Sequence, residues 1–223
     1  MSRIRKGYEA RFRGLLRRVG TRRLEQGIRW LIERSRRRSL LEGSSEAESL
    51  AAVYAELAAR PAFGKPKLAT GPGQFWCDAG LGGLARWLRA AGHIARWDPS
   101  QDDSELLQLA QASNSTLLTT DSLLMERRLL RDGIVRSLWI PPTLRIAQQL
   151  ALVFGEFGLQ VGEPRCMRCG GELQQVDKQA LKDRIPPRTF RWLDEYFVCG
   201  DCDQLFWRGT HWEKIQRELG RLD

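Results

Sequence analysis

The chain has 223 residues, 42% of them hydrophobic, which is enough for one ordinary core and a small second one. It has no run of about 18 apolar residues, and its start lacks a secretory signal pattern, so the expectation is a soluble, cytoplasmic protein. The net charge of +9 is unevenly placed: residues 1–42 hold 14 Lys/Arg against 4 Glu, or +10, and the remainder holds 22 basic against 23 acidic residues, or −1.

In that basic N-terminal arm Ile4, Tyr8, Phe12, Leu15, Leu16 and Val19 recur at helical spacing, with Arg11, Arg13, Arg17, Arg18, Arg22 and Arg23 around them. Such a helix fits an RNA backbone, an anionic membrane, an organellar transit segment, or a solvated helix packed on its own protein. Ser45 and Glu48 form a capping box ahead of Leu50, Val53, Tyr54 and Leu57, which predicts a second helix. RPAFGKPKLATGPGQ, residues 60–74, is rich in Pro and Gly and reads as a linker. The boundaries are therefore a helical basic arm over 1–59, the linker, an α/β domain over 75–160 and a cysteine-bearing module over 161–223.

From residue 75 a short apolar run ends in Asp and a helical pattern follows. FWC leads to Asp78 and then Leu81, Leu84, Ala85 and Leu88; Asp102 and Asp103 precede Glu105, Leu106, Leu109 and Ala110; TLLTT leads to Asp121 and then Leu123, Leu124, Met125 and Leu129. IVRSLWI is a further strand, followed by a helix from about Leu144 to Phe157. Strands alternating with helices predict a parallel α/β sheet.

Any one of these aspartates serves as a helix N-cap. Three together, at strand ends that share one sheet edge, would repel unless divalent cations neutralised them, and oxygen ligands suit Mg²⁺ or Mn²⁺. A pair of such ions supports in-line phosphodiester hydrolysis. Asp78 and Asp121 are the expected ligands, with Asp103 third and Asp102 and Glu105 as its competitors. Arg86 and Arg89, on the helix after Asp78, are expected to hold a phosphate or to form a solvated face.

Cys166-x-x-Cys169 and Cys199-x-x-Cys202 have the form of a four-thiolate structural zinc site, with Gly170 and Gly171 allowing the tight knuckle. The fifth cysteine, Cys77, reads as a small buried apolar residue. The module also carries Arg184, Arg188, Arg191, Trp192, Trp207, Arg208, His211, Trp212 and Lys214. Arginines interleaved with aromatics suit phosphates and unpaired bases, although the tryptophans equally suit a small core. Arg188, Arg208 and His211 are the substrate-binding candidates.

DAGLGGLARWLRAAGH (78–93), DDSELLQLA (102–110), LLTTD (117–121), CMRCGGEL (166–173), KDRIPPRTF (182–190), DEYFVCGDC (194–202) and WRGTHWEKI (207–215) together resemble the Mut-seven C-terminal ribonuclease domain family. The resemblance implies a PIN-like nuclease fold joined to a zinc ribbon. It also implies a metal-dependent ribonuclease in which Asp78, Asp103 and Asp121 match the acidic positions and the four cysteines the ribbon ligands. Two departures stand out: Thr120 where family members often have a basic residue, and an Arg-rich helical arm where many bacterial members have a ubiquitin-like domain. The expected partner is RNA, with a ribosome or other ribonucleoprotein as a docking alternative for the arm. A noncatalytic RNA- or ribonucleoprotein-binding module, its aspartates acting as caps, is the alternative to the enzyme.

Overall fold

The computed structural model describes residues 3–58, 60 and 71–222. The N-terminal segment folds as α1 (Arg3–Arg18), α2 (Leu24–Glu42) and α3 (Glu46–Ala58), which pack around a core of their own. Tyr8, Phe12 and Leu15 of α1 meet Ile28, Leu31 and Ile32 of α2 and Leu50, Val53, Tyr54 and Leu57 of α3, all buried. Each set repeats at three or four residues, so each helix buries one stripe. Val19, expected on the buried stripe, is exposed. The capping box forms as read: the Glu48 N–H donates to Ser45 Oγ at 3.2 Å and the Ser45 N–H to the Glu48 carboxylate at 2.8 Å. Most of the expected linker, residues 61–70, lies outside the described residues.

The α/β unit is a four-stranded parallel sheet of β1 (Gln74–Cys77), β2 (Ile94–Trp97), β3 (Thr116–Thr119) and β4 (Ser137–Trp139), in the order β2-β1-β3-β4. The two-residue alternation of a strand sorts its side chains between faces. Phe75, Cys77, Leu118, Leu138 and Ile140 enter one core with α4 (Gly82–Ala90) and α7 (Ile146–Phe157). Trp76 and Leu117 enter the opposite core with α5 (Asp103–Ala112) and α6 (Arg128–Arg131). Helices therefore cover both faces. The strand β2 was not legible in the sequence pattern, and the helix expected after Asp121 is instead a 3₁₀ turn over Leu124–Glu126 followed by the short α6. Arg127, extended at φ −57° and ψ 141°, separates the two.

The helical bundle docks on the β4 side. Trp139, lying between Leu138 and Ile140, points away from their core and is buried in that of the bundle. The Arg11 guanidinium donates to the Ser137 carbonyl at 3.3 Å and pairs with Glu156 of α7 at 3.4 Å. Thr143 Oγ1 donates to the Glu48 carboxylate at 2.6 Å.

The C-terminal module is an antiparallel sheet of β5 (Leu173–Val176), β6 (Tyr196–Cys199) and β7 (Leu205–Trp207), with α8 (Pro187–Trp192) before β6 and α9 (Thr210–Leu219) after β7. Leu181, Ile185 and Tyr196 form its small core. In contrast, Ile215 and Leu219 of α9 are buried with the residues of α4 and α7, so the last helix closes back onto the α/β unit. Gly92 has φ +89°, and a Cβ there would stand 2.7 Å from the Glu163 carbonyl oxygen. Glycine is therefore required where the chain leading to the module crosses the end of α4.

Candidate active site and zinc site

Strand order reverses between β1 and β3, because the chain leaves β1 for one neighbour, β2, and then crosses to the other. Open α/β sheets bind ligands outside the strand carboxyl ends at such a switch point. Asp78 immediately follows β1, and Thr119, Thr120 and Asp121 close β3. The register sets Cys77 opposite Leu118, and the Asp78 N–H continues the ladder by donating to the Leu118 carbonyl at 3.0 Å.

Asp78 is 8% exposed. Its Oδ2 accepts from Thr119 Oγ1 at 2.7 Å, from the Thr120 N–H at 2.6 Å and from Thr120 Oγ1 at 3.1 Å. Its Oδ1 is also buried and has no hydrogen-bond partner among the described residues. A buried carboxylate oxygen left without a donor is costly. A Cβ on Gly80 would lie 3.5 Å from Oδ1 and 3.1 Å from Thr120 Oγ1, so glycine keeps this approach open. Thr120 thus orients Asp78 through both its amide and its hydroxyl.

Asp121 is exposed, its N–H donating to Thr119 Oγ1 at 2.9 Å and its Oδ1 accepting from the Leu123 N–H at 2.7 Å. One oxygen therefore shapes the local turn. Asp102 caps α5, accepting from the N–H groups of Ser104 at 2.8 Å and Glu105 at 2.9 Å. That leaves Asp103 and Glu105 as exposed carboxylates in the first turn of α5. Asp98, unremarked in the sequence, follows β2 level with Asp78, but it accepts from Ser100 N–H and Oγ and shapes its own loop.

The basic candidates separate. Arg86 is exposed on α4. Arg89 is 3% exposed, and its guanidinium donates to the carbonyls of Ala95 at 2.7 Å, Met167 at 3.2 Å and Arg168 at 2.8 Å. Its expected phosphate contact is thereby replaced by a structural one: it joins α4 to the cysteine knuckle. Arg188 is exposed on α8 beside Trp192, which is 77% exposed. Arg208 is exposed, pairs with Glu195 at 3.1 Å and stands 5.4 Å from the Phe197 ring centre, and His211 is exposed on α9. Of the tryptophans, Trp212 turns inward onto the α/β core and Trp192 faces solvent.

The Sγ atoms of Cys166, Cys169, Cys199 and Cys202 all lie within 4.8 Å of one another. Cys166 and Cys202 are 3.6 Å apart, Cys169 and Cys199 3.4 Å. Tetrahedral zinc with bonds of about 2.3 Å spaces its sulfurs by about 3.8 Å, so the four thiols fit it. Gly170 has φ +92°, and a Cβ on Gly171 would come within 2.8 Å of Cys199 Sγ, which confirms the knuckle's need for glycine. Among the described residues this is the group already gathered to hold an ion; Asp78, Asp103 and Asp121 do not form a second one. Cys77 is fully buried, and burial raises its thiol pKa, as for an inert core residue.

The family model described as the Mut7-C RNAse domain matches residues 73–219, most of the chain. The chain belongs to that family. No curated protein and no solved structure matched. The Mut7-C match covers the parallel sheet, the four-thiol site and α9 together, and leaves the helical bundle outside. A nuclease-type function with RNA as substrate class follows for the Mut7-C unit. No helix among the described residues is long and apolar enough to cross a membrane.

Proposed function

We propose that the protein is a divalent-metal-dependent endoribonuclease whose reaction centre lies over the carboxyl ends of β1 and β3. The observation that carries this reading is Asp78 Oδ1, buried at the switch point without a donor while its twin oxygen takes three hydrogen bonds. A carboxylate pre-oriented in this way suits a hard cation. Asp78, Asp121 and Asp103 would hold Mg²⁺ or Mn²⁺, which when bound supplies the charge that activates a water and stabilises a leaving oxygen. Thr119 and Thr120 fix Asp78, and Arg86 stands on the next helix to meet a phosphate. The four-thiol site is a closed structural brace for zinc.

Arg188 and Arg208 with Trp192, and His211 on α9, supply phosphate and stacking contacts to RNA. In the bundle, several arginines are tied to glutamates, among them Arg34 and Arg38, both paired with Glu56. Arg17, Arg22 and Arg23 are exposed at the α1–α2 turn and carry no ion pair among the described residues, so they are the RNA contacts of the arm. In this reading 1–59 binds RNA, 75–160 cleaves it and 161–223 presents it, in the cytoplasm. Cleavage of mixed cellular RNA with Mn²⁺, abolished by EDTA and by Asp78→Asn, is the expected result.

A second reading, a noncatalytic RNA-binding module, draws on Asp102 and Asp121, whose carboxylates serve local caps and turns. It is the one to adopt if wild type and Asp78→Asn bind RNA equally and neither cleaves it.

A further inference from the structure

Thr120 touches more than Asp78. Its carbonyl oxygen accepts from the Trp139 indole N–H at 3.0 Å. That indole belongs to β4 but is buried in the core of the helical bundle, 6% exposed, in the same cluster as Phe12, Val53 and Tyr54. The same Thr120 residue donates twice to Asp78 Oδ2 through its amide and hydroxyl, and Thr119 Oγ1 donates to Asp78 while accepting from the Asp121 N–H. One hydrogen bond from a side chain anchored in the bundle core therefore ends on the segment that holds the Asp78 carboxylate and the Asp121 backbone. Met125, just beyond Asp121, likewise packs against both the bundle core and the α5–β3 core.

We infer that Trp139 is a positioning residue through which the N-terminal bundle holds the β3 end of the reaction centre in register. This rests on the nuclease reading given above. A peptide carbonyl at a strand end is free to tilt unless something fixes it, and tilting the Thr120–Asp121 peptide turns the Asp121 N–H away from Thr119 Oγ1, the hydroxyl that donates to Asp78. A donor anchored in a packed core restrains that rotation, whereas water does not. The bundle is thus part of the reaction centre's framework as well as a surface for RNA.

The test replaces Trp139 by Phe, which keeps an aromatic ring in the bundle core, and separately by 3-benzothienylalanine, which keeps the shape of the indole and removes only its N–H. A net hydrogen bond of this kind sets the scale at up to about tenfold in rate. Both variants are expected to melt cooperatively, retain zinc and bind RNA with unchanged affinity. Both should lower kcat by about tenfold, with KM little changed, and raise the Mn²⁺ concentration needed for half-maximal rate. Full activity in the benzothienyl variant would overturn the inference, because packing alone would then suffice.

A readout without activity separates this from failure of the nuclease reading. The Trp139 indole ¹H–¹⁵N resonance, assigned by its loss in Trp139→Phe, should move on Mg²⁺ addition and in Asp78→Asn. A resonance indifferent to both would overturn the coupling even in an active enzyme. If the wild type cleaves no RNA but the resonance responds, the coupling stands and the reaction assignment falls.

Discussion

Asp78 holds two oxygens in opposite states, one saturated and one bare, and the difference predicts how substitution behaves. In Asp78→Asn the amide oxygen can still accept from Thr119 and Thr120, so stability should change by no more than about 1 kcal/mol. Loss of the charged oxygen should lower Mn²⁺-dependent cleavage by at least about a hundredfold, measured beside a urea midpoint that shifts no further than that stability change allows. His93 makes a prediction of a different sort. It is 3% exposed, its Nδ1 accepts from the Gly73 N–H at 3.1 Å, and it packs edge-on to Phe75 and Phe154. Burial lowers its pKa from 6.5 to about 4. Below 6.5 the unfolded chain takes up a proton that the native ring refuses, so the stability is complete above 6.5 and is lost as pH falls towards 4, by about 3 kcal/mol. Thermal melts across that window should show His93→Gln losing less stability with falling pH than wild type does.

Among the elements, the four-cysteine module shows where sequence sufficed and where it did not. Metal ligation fixes cysteine spacing locally, so the paired Cys-x-x-Cys pattern was readable, as was the Asp-ended strand theme, because a strand–helix turn is also local. The bracing contacts of Arg89 are not legible in the sequence, because a helix sequence does not reveal what packs on its end, here the carbonyls of the knuckle. The stripe Ile28, Leu31, Ile32 and Ser35 in α2 was hidden by surrounding arginines, and Trp139 required the β3–β4 register to be known. That α9 packs on the α/β core is hidden in the sequence for the same reason. Since α9 shares the α/β core, removal of zinc should unfold the region between the knuckle and β7 and leave α9 in place. Hydrogen exchange after chelation should show protection lost over residues 166–207 and kept over 212–219. Loss across both stretches would mean that α9 depends on the ribbon.

On the scale of the molecule, charge and architecture are entangled in the N-terminal third. Deleting residues 1–42 looks like a clean way to remove the basic arm, and cleavage of a short substrate would be expected to survive because the acidic residues lie beyond residue 74. The bundle changes that expectation, since the deletion strips α1 and α2 from Val53, Tyr54, Leu57 and Trp139 and exposes their shared core. Charge replacement on the intact bundle is the discriminating experiment. Arg17, Arg22 and Arg23 have no ion pair among the described residues, so neutralising them with Gln leaves the fold intact. Arg34 and Arg38 brace α2 against Glu56 of α3, so Gln there should lower stability by up to about 1 kcal/mol and leave RNA affinity alone. If the turn arginines each neutralise one phosphate of a single strand, their triple replacement should flatten the salt slope of log affinity by about 2, from about 0.7 for each contact. The kcat on a short saturating RNA should stay unchanged, because Trp139 keeps its place. An unaltered slope in the triple variant would assign the turn to a protein or ribonucleoprotein partner instead of the RNA substrate.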